Sequence, residues 1–160
     1  MPNPPDLPPF PTPAEERAPV PPSFEAKSAA LTFIALVVVL ALYSLVAGRM
    51  LLVGVTESVV PYVPILLLAT VLLVGILVAG HLLAALGSER IDPPDERDRA
   101  IADRAEARSS WLLGLGVLAA IFGLALPIGP AWIANGLLAC LFASEILQYG
   151  LRVLAYRRDY

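Results

Sequence analysis

The chain has 160 residues, 58% of them hydrophobic and only 16% charged, with a net charge of −3 and a mean hydropathy of +0.74. Soluble domains average about 45–50% apolar and about 25% charged, so a soluble enzyme with a mixed surface is excluded. The negative balance also excludes a basic nucleic-acid binder. The only cysteine, Cys140, rules out an internal disulfide framework or a cysteine-rich metal site, and the only histidine, His81, rules out sites that need two.

Residues 1–27 form a separate region, because ten of residues 1–22 are proline. That density removes backbone donors and fixes φ, so polyproline II or coil is expected there, a disordered and solvated tail. The start lacks a basic segment, and no apolar run arrives before Ala29, so a secretory signal peptide is not expected. PxxP spacings from Pro5 to Pro8 and from Pro8 to Pro11 could serve an aromatic groove.

Residues 28–48 are the first uncharged apolar stretch, 21 residues long. At ~1.5 Å per residue this gives roughly 31 Å, enough to cross the hydrocarbon core. Arg49 ends it, although the apolar run Met50 to Val55 could carry the helix past a snorkelling arginine. Glu57 and Ser58 mark a turn, and a second span is predicted over 62–86 with Pro64 in its first turn. Residues 28–87 thus form one transmembrane hairpin.

Residues 88–110 hold 12 of the 25 charged side chains. Asp92 before Pro93, with Asp95 three residues on, reads as a helix N-cap with proline at the first helical position. Asp95 to Arg99 and Arg99 to Asp103 lie at i,i+4, which supports a charged helix emerging into water. Each acid has an arginine neighbour, so a solvated face is expected rather than a catalytic carboxylate cluster. A third span follows over 111–126, with Trp111 suited to the membrane interface. Pro127-Ile128-Gly129-Pro130 stops that helix and starts another, and the fourth span covers 131–153. So short a turn makes residues 111–160 an antiparallel helical hairpin with a short basic tail.

With four spans, the N-terminal tail, the 88–110 segment and the C-terminal tail share one side. They carry ten of the eleven basic residues, and Arg49 alone lies on the other side. The positive-inside rule therefore predicts both termini in the cytoplasm.

Spanning helices approach closely where small residues recur. The fourth span has Asn135, Ala139, Ala143 and Gly136, Cys140, Ser144 at spacings of four. The third has Gly116 with Ala120 and Ala119 with Gly123, and the second has Gly75 with Ala79 and Gly80 with Ala84. Tight packing among these three helices is the expectation, with Asn135 bonding across the second hairpin.

Glu145 lies inside the fourth span, where a charge costs a few kcal/mol unless it faces a partner or water, so it is a functional candidate by default. Gln148, Tyr149 and Arg152 follow at i+3, i+4 and i+7. His81, near the end of the second span, is placed at a similar depth. Glu145 is therefore expected to be held by His81, Gln148 or Arg108. Such a cluster could be an interhelical staple, a proton or ion relay, or a contact with another subunit. Haem or quinone ligation by His81 is weakly supported, since an axial histidine would have no second ligand nearby, and no cofactor is expected. No phosphate loop, HExxH or nucleophile elbow occurs.

Asp95-Glu96-Arg97-Asp98, Ile101, an apolar span, a turn, and a last helix with Glu145, Tyr149 and Tyr156-Arg157-Arg158 together resemble a family. It is an uncharacterised family of small bacterial four-helix membrane proteins, and the resemblance covers about residues 88–158. It implies four inner-membrane helices with a cytoplasmic charged connection, and it implies no activity. The expected molecule is an all-α four-helix transmembrane bundle of two antiparallel hairpins. Its expected role is non-enzymatic: an accessory subunit or regulator of a larger membrane complex, in contact with lipid and with other subunits or its own copies. The alternative is a small homo-oligomeric carrier or channel with Glu145 and His81 lining a path.

Overall fold

The structure, a computed structural model, describes residues 24–86 and 95–158. These form four long helices, α1 (Phe24–Leu52), α2 (Val63–Leu86), α3 (Glu96–Leu124) and α4 (Pro130–Arg158), with a short 3-10 turn at Val60–Tyr62 before α2. Each is long and apolar enough to cross a membrane. The protein is a multi-pass membrane protein, all-helical over the described residues.

The helices overrun the apolar spans in a consistent direction. At ~1.5 Å per residue a 29-residue helix is about 43 Å long, against roughly 30 Å of hydrocarbon. The surplus turns of α1, α3 and α4 carry Glu25 and Lys27, the charged run from Glu96 to Arg108, and Arg157 and Arg158. All three lie at one end, here the charged end; the opposite end holds the two hairpin turns. Residues 24–27, expected in the tail, form the first turn of α1. The rest of the proline-rich segment lies outside the described residues.

The charged segment from Glu96 and the third span are one continuous helix. Its N-cap is Asp95 rather than Asp92, which with Pro93 lies outside the described residues. The Asp98 amide donates to Asp95 Oδ1 at 2.7 Å and the Asp95 amide donates back to Asp98 Oδ2 at 3.3 Å. This reciprocal capping box satisfies two donors at once. A cap at Asp92 would have proline at both following positions, with one N–H fewer to receive.

Packing order is the main departure from expectation. α1 packs against both α2 and α4, and α4 packs against α3, so the second hairpin joins the first through α1 and α4. The small-residue rows suggested α2, α3 and α4 as the close-packed set. Instead α1 is central: it buries Ala29, Thr32, Ala35, Leu36, Val39, Tyr43, Ala47 and Leu51, a stripe at helical spacing, whereas α2 buries only Ala69. Gly80 of α2 does allow a close approach, to the Leu31 side chain of α1, but Gly75 faces open space. Gly116 and Gly123 of α3 receive Cys140 and Ile133 of α4. Ser144 Oγ donates to the Ser109 carbonyl oxygen at 3.0 Å, closing the same helix pair nearer the charged end.

The turn end is fixed by backbone. α1 runs past Arg49 to Leu52 and ends in a Schellman motif, with Gly54 at φ +89°, its N–H on Leu51 O at 3.1 Å and the Val55 N–H on Met50 O at 3.0 Å. The Ala131 amide, at the start of α4, donates to Thr56 O of the first hairpin turn at 3.1 Å. A Cβ on Gly129 would lie 2.6 Å from that same oxygen, so glycine is what lets the turns meet. Tyr62 adds a hydroxyl donated to Val55 O at 2.7 Å.

Candidate functional site

Polar side chains from all four helices converge at the charged end around a cavity of about 190 Å³. α1 supplies Glu25, Ser28 and Thr32, α2 supplies His81, α3 supplies Asp98, and α4 supplies Tyr149, Arg152 and Tyr156. Each reaches the cavity because its helix overruns the apolar span or ends there. Beneath it, Ala29, Ile101 and Tyr156 pack as a small apolar core.

His81 ties α2 to α1. Its Nδ1 lies 2.7 Å from the Leu77 carbonyl oxygen, which can only accept, so Nδ1 carries the proton. Nε2, 2.8 Å from Ser28 Oγ, then accepts the serine hydroxyl. Both ring nitrogens are therefore occupied. Tyr156 ties α4 to α3: its hydroxyl donates to Asp98 Oδ1 at 2.8 Å, on the same carboxylate that completes the α3 cap. The Arg152 guanidinium stacks over the Tyr149 ring at 4.9 Å, while its buried Nε has no hydrogen-bond partner. The site thus offers two carboxylates, one guanidinium, one imidazole and two phenols. It can hold a small polar species, and it fastens four helices at one level.

His81 and Arg152 of the expected polar cluster line this cavity. Glu145 and Gln148 do not, and Arg108 lines a separate groove between α3 and α4. The expected bonds from Glu145 to His81, Gln148 or Arg108 are not formed; Glu145 makes no hydrogen bond or ion pair among the described residues. For His81 the reason is depth; Arg108, next to the Ser109 that accepts from Ser144, is level with Glu145 but lines the separate groove. His81 is level with Ser28 and Arg152, and Glu145 lies seven residues before Arg152, about 10 Å further from the charged end.

Asn135 bonds to a different helix from the one expected. Its Oδ1 accepts from the Tyr43 hydroxyl of α1 at 2.7 Å, and its Nδ2 donates to Ala131 O at 2.8 Å, so it joins the two hairpins rather than closing the second. Gly116 and Gly123 are buried in the α3–α4 contact, whereas Gly136 and Ala139 are exposed. Sequence reasoning missed Ser28, Tyr43, Ser109 and the Tyr156–Asp98 pair. The available signal was simple: a hydroxyl or phenol within or at the edge of an apolar span needs a partner, either its own helix backbone, as for Thr32 and Thr70, or another helix.

Two further apolar cavities flank α4. One, of about 260 Å³, lies against α1 and is lined by Leu40, Tyr43, Trp132, Asn135, Gly136 and Ala139. The other, of about 380 Å³, lies against α3 and is lined by Gly116, Ala119, Ala120, Gly123, Gly136 and Cys140. Comparisons with protein-family models, curated proteins and solved structures return no match. The fold and site define a class, a small four-helix integral membrane protein, and no family is assigned.

Proposed function

We propose that the protein is a non-enzymatic accessory subunit or regulator that packs against another protein of a bacterial inner membrane. Its charged end and both termini face the cytoplasm in this reading, which the distribution of ten of the eleven basic residues supports. The observation that carries the reading is the groove between α3 and α4 that Gly116, Ala119, Ala120, Gly123 and Gly136 line. Gly136 has no neighbour within 4 Å where a side chain would sit. A glycine inside a helix costs about 1 kcal/mol relative to alanine, and a lipid-facing one returns nothing, whereas a docked helix would use the close approach. The interhelical polar bonds support the same reading, since each fastens one helix to its neighbour.

Native mass spectrometry of the particle extracted from its own membrane in mild detergent tests this. Unrelated subunits at fixed stoichiometry are the expected result. A homo-oligomer alone would overturn the accessory reading and favour the alternative, a small carrier in which Glu145, whose side chain has no partner among the described residues, and not a Glu145–His81 pair, would line a path between copies. Glu145→Gln separates the two further: an accessory subunit stays assembled, and a proton relay stops.

A further inference from the structure

A second polar feature at the charged end is chemically unlike the first. Between α3 and α4 lies an open groove of about 320 Å³, lined by Arg104 and Arg108 of α3 and Arg158 of α4 over Ile101, Leu151 and Leu154. Among the described residues it has no acidic lining residue. All three arginines are exposed, and none makes a hydrogen bond or ion pair among the described residues. Arg104 and Arg108 are one turn apart on the same helix face, so their like charges repel unless an anion lies between them.

The level of the groove identifies the anion. Arg108 is the last charged residue of α3 before the apolar span, and Trp111, one turn on, is 59% exposed. Exposed tryptophan at such a junction sits at headgroup depth. On α4, Leu154 is 53% exposed and lies one turn towards the membrane centre from Arg158. The groove therefore presents guanidiniums beside aliphatic side chains where the charged segment of α3 meets its apolar span. We propose that it binds the phosphate of an anionic phospholipid, with the arginines forking onto the phosphate oxygens beside the aliphatic Leu151 and Leu154. Basic pockets between spanning helices have this chemistry. The inference needs only the membrane reading of the four helices and is independent of which partner the protein has.

The test uses the full-length chain in mild detergent, titrated with dioleoylphosphatidylglycerol or dioleoylphosphatidylcholine and read by native mass spectrometry. The wild type should retain phosphatidylglycerol as a discrete adduct and phosphatidylcholine not at all. Arg104→Gln with Arg108→Gln should weaken that retention about tenfold or more, while Arg99→Gln with Arg157→Gln, the same charge change outside the groove, should leave it within about twofold. Inorganic phosphate at millimolar concentration should not displace the lipid. The proposal is overturned by equal retention of both lipids in the wild type, by equal losses in the two double variants, or by displacement with free phosphate, which would make the groove a soluble-anion site. The wild-type comparison decides even if a variant fails to fold.

Discussion

The two ends of the bundle are held by different kinds of bond. At the turn end the closures are mostly main-chain, joined by the Tyr62 hydroxyl on Val55 O: Ala131 N–H on Thr56 O, the Gly54 motif, and a Gly129 placed where no Cβ fits. At the charged end they are side-chain: His81 with Ser28, Tyr156 with Asp98, and Arg152 over Tyr149 around an open polar cavity. Backbone closures have few alternatives, whereas side-chain closures can exchange partners with water or a ligand. The charged end is accordingly the adjustable one, and both ligand-sized polar features of the molecule lie there.

The largest effect should come from the turn end. Gly129→Ala puts a Cβ against a backbone oxygen that cannot swing aside, so the two hairpin turns must separate and the Ala131–Thr56 bond is lost. A cost of about 1–3 kcal/mol is expected, as for other overpacked sites, read as lowered thermal stability in detergent. Tyr156→Phe at the charged end should cost less, about 1 kcal/mol, because the α3 cap remains and water can reach Asp98. Should Tyr156→Phe prove the more damaging of the two, the contrast between the ends is wrong. Tyr43→Phe, which removes an interhelical bond within the membrane, should cost about 0.6 kcal/mol, the usual size of such bonds. Glu145→Gln should leave stability unchanged or raise it, since the charge has no partner among the described residues to lose; a marked fall in melting temperature would show a partner beyond them.

How much of this was legible in the sequence follows from which physical rule sets each feature. Bilayer thickness dictates helix length, so four apolar runs were enough to place four spans, and the short Pro127–Pro130 segment was enough to pair the last two. Neighbour order was not legible. α1 and α2 are apolar on every side, so no periodicity distinguishes the face of α1 that buries Val39 and Tyr43 from the lipid-facing side of α2. Rows of glycine and alanine were equally silent: Gly116 and Gly123 pack, while Gly75 and Gly136, with the same spacing pattern, do not. Polar residues in the spans were legible as needing partners, but their partners depend on depth. An error of two turns was sufficient to pair Glu145 with a histidine that belongs to Ser28.

The central claim is that the apolar groove on α3 and α4 lined by Gly116, Gly123 and Gly136 receives another protein. Photo-crosslinking in native membranes tests it directly, with the reactive residue placed at Gly136 in the groove or at Leu68, an α2 position 70% exposed and outside it. The account predicts a discrete protein adduct of fixed mass from Gly136 and lipid adducts alone from Leu68. Lipid adducts alone from both positions would contradict it.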